Sequence, residues 1–213
     1  MSMTEQTYTT LEREASAELI EKKSVFIGHA KHTADDSEAL EFIERIRSKH
    51  ADATHNVFAY YLRGGAMARY SDDGEPQGTS GPPVLDVIKK SGCDDCTVVV
   101  TRYFGGTLLG AGGLVRAYSA AAKLVLDAAH IVTFVKYFAY TLNVDYSDYS
   151  KLTFELEHAD AIIDSTDFSD KVSVGFALEA SRADAVIGRI RELSGGRLIP
   201  TVLGERFDRK ISK

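Results

Sequence analysis

The sequence predicts an α+β protein of two domains, and three observations carry that reading. At 213 residues the chain can bury one large core or two modest ones. Glycine and proline concentrate in two tracts, S-D-D-G-E-P-Q-G-T-S-G-P-P from Ser71 to Pro83 and R-Y-F-G-G-T-L-L-G-A-G-G-L-V-R-A-Y from Arg102 to Tyr118. Together these hold eight of the 17 glycines and three of the four prolines. Beyond about Ala129 the pattern changes to strands and helices in the order β-α-β-β-α-β, that of a ferredoxin-like domain. The expected division is 1–130 and 131–213.

Along the first domain, Ala15 to His32 reads as one or two strands. Asp35 to Lys49 reads as a helix with Leu40, Ile43 and Ile46 on one stripe and acids in its first turn. Asn56 to Leu62 is a strand by its β-branched and aromatic content. After the first tract, Pro82-Pro83 and the apolar residues Val84, Leu85, Val87 and Ile88 start a short helix that Lys89, Lys90 and Gly92 close. Thr97 to Phe104 is a buried strand, and the glycine tract opens a long helix with Leu114, Tyr118, Ala121, Val125 and Ala129 at helical spacing. In the second domain, Phe134 to Val144 is a strand and Ser147 is the expected cap of the next helix. Ala161 to Thr166 and Val172 to Ala180 are strands, Ser181 and Asp184 form a capping-box-like helix start, and Leu198 to Phe207 is the last strand.

Composition excludes several classes. With 44% hydrophobic and 26% charged residues the chain reads as soluble and globular, and no stretch approaches a membrane span. Met1 to Glu14 lacks the basic start and apolar run of a secretory signal, and there are only two cysteines, so a reducing cytoplasm is expected. A net charge of −6 argues against a globally basic nucleic-acid binder and leaves room for a local basic patch.

The acids Asp72, Asp73 and Glu75 would suit a hard cation, but the spacing fails the calcium-loop pattern, and no metal or cofactor is expected. Their bland reading is the capping of turns and helix starts. Ser80 in G-T-S-G-P fails the nucleophile elbow, because Pro82 stands where glycine is required; local hydrogen bonds are expected for Ser71, Ser80 and His55. Cys93 and Cys96 read as ordinary loop thiols.

The second tract opens a helix where free backbone N–H groups favour an anion, although it matches neither the phosphate-loop nor the dinucleotide pattern. Arg102, Tyr103, Gly105, Gly106, Gly110, Gly112, Gly113 and Arg116 form the candidate anion or RNA site. His55, Asp72, Asp73 and Glu75 form a candidate acidic surface. The competing reading makes the glycines packing residues and pairs the arginines with the acidic tract.

A-T-H-N-V-F-A-Y from Ala53 to Tyr60, taken with the two tracts, closely resembles the YigZ/IMPACT family, from about Ala15 to Ala129. The resemblance implies an N-terminal two-layer α/β sandwich, as in a small-subunit ribosomal protein, elongation factor G's fourth domain and the GHMP kinases. It also implies a C-terminal domain similar to the last domain of elongation factor G. For eukaryotic relatives it implies translational control, through binding a ribosome-associated activator of the amino-acid-starvation kinase. Some members carry Lys where this chain has Leu108, and the peptidase label that some bacterial relatives have carried finds no supporting metal or nucleophile here. The expected function is a non-enzymatic regulator that binds RNA, the ribosome or a ribosome-associated protein, in translation or stress responses. The alternatives are an enzyme acting on a phosphorylated metabolite or nucleotide, and a protein-interaction module on the S-D-D-G-E-P surface.

Overall fold

The computed structural model describes residues 7–209. The first six residues of the polar start and the last four of the second domain lie outside that range. The chain divides into two compact units: one spans Thr9–Val132, and the other runs from Thr133 onward and takes in Tyr8.

Strand β1 (Thr7–Leu11) opens the described chain. In the first unit, β2 (Ala15–Glu21), β3 (Ser24–His32), β4 (His55–Leu62), β5 (Met67–Ser71) and β6 (Cys96–Tyr103) form an antiparallel sheet in the order β2-β3-β6-β4-β5. Helix α1 (Asp36–Lys49) follows β3, α2 (Gly81–Ser91) precedes β6, and α3 (Ala111–Ala129) follows it.

Strand alternation sorts the core into two faces. Val57 and Ala59 of β4 and Val98 and Val100 of β6 pack with Val84 and Ile88 of α2 and with Tyr118, Ala121 and Val125 of α3. Tyr60, Leu62 and Val99 point the other way, onto Phe42, Ile43 and Ile46 of α1. The sheet with α2 and α3 is the expected two-layer sandwich, and α1 adds a helix on the second face. That is why β6 is buried from Cys96 through Arg102, including its threonines and arginine. Helix α1 is capped by Asp35, whose Oδ1 accepts from Glu38 N at 3.0 Å.

The second unit runs β7 (Ile131–Val144), α4 (Tyr146–His158), β8 (Ile162–Phe168), β9 (Val172–Glu179), α5 (Ala183–Leu193) and β10 (Thr201–Arg209). Its antiparallel pairings give the order β8-β9-β7-β10, and β1 also lies beside β7 in this sheet. Val174, Phe176 and Leu178 alternate inward against Leu152 and Leu156 of α4 and Val186 and Ile190 of α5. The chain is thus a two-domain α+β protein with the βαββαβ order the sequence predicts.

Four details differ from the sequence reading. Strands β1 and β5 were not anticipated. Ser147 does not cap α4, whose first flanking residue is Asp145. The capping box at Ser181 does not form: α5 begins after Arg182, and Ser181 Oγ donates to Glu179 Oε1 at 2.6 Å. Cys93 lies in the loop between α2 and β6 as read, but Cys96 opens β6, and both are buried in the core of the α2/α3 layer. Among the described residues no helix is long and apolar enough to cross a membrane.

His29 of β3 and His50, at the end of α1, lie with ring centroids 5.0 Å apart and planes tilted by 43°. Burial, and next the neighbouring His50, push the His29 imidazole from 6.5 down to about 4; Lys49 and Arg45 act in the same direction and Glu14 against it. The unfolded chain therefore binds the proton more tightly, so this contribution to stability is complete above pH 6.5 and is lost as pH falls toward about 4. Urea unfolding of the wild type should show a loss on the order of 1 kcal/mol between neutral pH and about pH 5 that a His29→Gln variant lacks. Identical pH slopes for the two proteins would refute this.

Candidate functional site

His55, the first residue of β4, and Arg102, near the end of β6, are direct cross-strand partners. Both share strand parity with Val57 and Val100, so both project on the α2/α3 side. The Ser71–Pro83 tract folds back over this end of the sheet, and each of its acids has a defined task there.

Asp72 organises the loop. Its Oδ1 accepts from Ser80 N at 3.1 Å, Ser80 Oγ at 2.7 Å and Gly81 N at 2.8 Å, and its Oδ2 accepts from Gly78 N at 2.8 Å. Burial works to raise the carboxyl's pKa, but these hydrogen bonds to the charged form outweigh it and leave the pKa below the usual value. Asp72 thereby serves the start of α2 from nine residues upstream of Gly81. Asp73 ties the loop to β4: Oδ2 accepts from Asn56 N at 2.6 Å, Oδ1 pairs with Arg47 Nη2 at 3.2 Å, and the backbone carbonyl accepts from His55 Nδ1 at 2.7 Å.

Glu75 goes deepest. Its side chain is only 3% exposed, and Oε1 accepts from Arg102 Nη1 at 2.6 Å and from Tyr118 Oη at 2.7 Å. Arg102 lies between the rings of Phe26 and Phe104, its guanidinium carbon 5.4 and 5.5 Å from their centroids. Its Nη2 reaches Ser24 Oγ at 3.4 Å, and its buried Nε has no partner. Burial, and next the Glu75 charge, push the Tyr118 hydroxyl far above its ordinary pKa and hold it as a donor.

The glycine tract supplies the opposite wall. Gly105 donates to Ser24 Oγ at 3.2 Å and passes so close to the β2–β3 turn that a Cβ there would lie 2.0 Å from the Lys23 carbonyl. Gly110 precedes α3 with φ 73° and ψ 164°, a conformation open essentially to glycine alone, and it brings no side chain to the helix start.

A cleft of about 410 Å³ opens here, with Glu75, His55 and Arg102 on its floor and Phe104, Leu108 and Gly110 among its walls. A second hollow of about 220 Å³ shares the Leu109 wall and is lined by Glu21, Lys22, Gly113 and Arg116. The two arginines of the candidate site therefore serve different surfaces. Arg102 is buried and neutralised by Glu75, whereas Arg116 is exposed, and among the described residues it has no ion pair. Tyr103 points to the α1 face, where its hydroxyl donates to Asp52 at 3.1 Å and lies 2.9 Å from His50 Nδ1. Gly106, at φ 76°, has open space around it. Sequence reasoning missed Tyr118 and Ser24 as members of the cluster and Lys22 as a neighbour of Arg116, because only the fold brings them together.

The Impact N-terminal domain family matches residues 22–126, and a domain family of unknown function, DUF1949, matches residues 142–197. The chain is 35% identical to the IMPACT family member YvyE of Bacillus subtilis (strain 168), covering 89% of this chain and 88% of the relative. The chain belongs to the IMPACT family. IMPACT family member YigZ of Escherichia coli (strain K12) is 34% identical over 83% of this chain and 88% of its own. A crystal structure titled as that of a hypothetical protein superposes with a TM-score of 0.59 at 31% identity, covering 93% of this chain and 98% of that one. In this IMPACT protein the S-D-D-G-E-P and R-Y-F-G-G tracts are thus the two sides of one cleft.

A buried ion pair that loses one member leaves the other charge unpaired in low dielectric. Arg102→Met should therefore destabilise the protein by about 3–5 kcal/mol in urea titration, and combining it with Glu75→Gln should cost less than the sum of the single losses. Additive losses would show that the pair does not couple.

Proposed function

We propose that this protein is a cytoplasmic, non-enzymatic binding protein that acts in translation by contacting the phosphate backbone of RNA, in the ribosome or free. The observation that carries this reading is the shoulder beside the glycine-rich start of α3. Lys22 and Arg116 line it and are exposed, Lys23 is exposed next to Lys22 in the β2–β3 turn, and among the described residues none of the three has an ion pair. Phosphate recognition needs such uncommitted cations together with backbone N–H donors. Gly110 and Gly112 leave the helix start open to a phosphate, whereas Gly113 lets Leu109 pack closely, its Cβ 2.9 Å from where a Cβ at 113 would stand.

Family membership supports the translational setting, since the resemblance to IMPACT proteins implies translational control in the eukaryotic relatives. Of the residues expected for anion binding, Arg116 with the α3 glycines is the contact we assign. Arg102 holds the cleft floor, and Tyr103 is turned to the other face. Glu21 is the one acid lining this hollow and sets a limit on how strongly it attracts phosphate.

Co-sedimentation with ribosomes across a salt series tests the assignment. Pelleting should weaken as salt rises, and a Lys22→Asn/Lys23→Asn/Arg116→Gln variant should flatten the log–log slope by about two to three units. Asparagine is chosen because Lys22 and Lys23 occupy positive φ, 45° and 70°, which it tolerates. Pelleting that is insensitive to salt and to the triple substitution would remove the phosphate reading.

A further inference from the structure

The cleft floor contains a mismatch that points to a ligand of its own. Glu75 Oε1 is satisfied by Arg102 and Tyr118, but Oε2 makes no hydrogen bond; the nearest cationic partner is His55 Nε2 at 3.8 Å, beyond hydrogen-bond reach. His55 Nδ1 lies 2.7 Å from the Asp73 carbonyl, which can only accept, so in the neutral ring the proton sits on Nδ1 and Nε2 is an acceptor. Two acceptors, one of them a carboxylate oxygen on a side chain only 3% exposed, thus face each other across a gap at the bottom of a cleft. A hydroxyl has one hydrogen to give and satisfies one of them. A primary ammonium has three and satisfies both.

The rest of the cleft defines the remainder of the ligand. The start of α3 lines it at Gly110 and Ala111, with orphan N–H groups and the positive end of the helix dipole, which suit a carboxylate. The only lysine or arginine in the lining is Arg102, already committed to Glu75, which disfavours a doubly charged phosphate. Leu108, 82% exposed, and Phe104, 46% exposed and packed on Arg102 by one face, stand beside the core residues Leu109 and Leu114 as an apolar wall of the cleft. We propose that this cleft binds a free α-amino acid with an apolar side chain. Its ammonium bridges Glu75 Oε2 and His55 Nε2, its carboxylate meets the start of α3, and its side chain covers Leu108 and Phe104. The ammonium and side-chain contacts lie apart from the basic shoulder, while both readings draw on the first turn of α3; the amino-acid titration is made without RNA, so either reading can fail alone.

Isothermal titration of the full chain with L-leucine and L-phenylalanine, up to about 10 mM, tests this. Saturable binding is expected, weakened at least about tenfold for 2-hydroxyisocaproate, which lacks the ammonium, and for leucinamide, which lacks the carboxylate. Leu108→Ala alters an exposed residue and leaves folding intact; it should weaken leucine binding by about fivefold through lost apolar contact. Glu75→Gln should abolish binding; because it also disturbs Arg102, the ligand analogues and Leu108→Ala carry the decision if that variant unfolds. The absence of saturable heat with either amino acid, or equal affinity for the hydroxy acid and the amide, overturns the proposal.

Discussion

The Glu75–Arg102 pair is the constraint around which this end of the first unit is built. Placing a carboxylate and a guanidinium where both are almost wholly buried carries a desolvation cost that Coulomb attraction alone recovers poorly. Here the cost is shared. Tyr118 donates to the same carboxylate oxygen, and the guanidinium lies between Phe26 and Phe104. The arrangement joins β3, β6, α3 and the loop after β5 through one group. The loop's path follows from it: once Glu75 is anchored at the sheet end, Asp72 reaches the start of α2 and Asp73 reaches the start of β4. A run that looks like an acidic surface patch in the sequence is internal scaffolding in the fold.

A chain of net charge −6 can still carry a local basic patch, because charge is unevenly distributed. The Asp73–Arg47 and Glu75–Arg102 pairs cancel one charge of each sign and leave the total unchanged. Asp72 satisfies backbone N–H groups, Asp73 pairs with Arg47, and Glu75 pairs with Arg102. The charge beside α3 is set by Lys22, Arg116 and Glu21 rather than by the total. Screening over roughly 8–10 Å at physiological salt makes that local set the relevant one.

How much of this was legible in the sequence follows from how local each feature is. The spacing of Leu114, Tyr118, Ala121, Val125 and Ala129 predicts α3 because all five face one layer, and all five are buried. The alternation through Val174, Phe176 and Leu178 predicts β9 for the same reason. Strand β5 was invisible because Met67–Ser71 buries no residue fully and so leaves no apolar alternation to read. The capping of α2 was missed because its acceptor lies nine residues before the helix, outside any capping pattern. Arg102 and Tyr103 are adjacent in sequence, which suggested a joint site, but strand pleating sends them to opposite faces. That rule is local and could have separated them. The pairing of Arg102 with Glu75, 27 residues apart, is set by the register of β4 on β6 and by the return of the loop, which no local pattern encodes.

The start of α3 shows what this arrangement leaves uncommitted. Helix α1 has Asp35 and α2 has Asp72 to satisfy its first N–H groups, whereas α3, at 19 residues, begins after a glycine that offers no side chain. A side-chain cap contributes about 1 kcal/mol. With φ 73° and ψ 164°, position 110 lies in a region that Ser, Asp, Asn and Thr do not tolerate, so the backbone path itself forbids the usual cap. Water or a bound group must then satisfy those donors. This uncapped start lies where the cleft and the basic shoulder meet, with Gly110 and Ala111 lining one hollow and Gly113 the other. The stability forgone at this one helix end is the physical counterpart of a surface kept open to an acceptor from outside the chain.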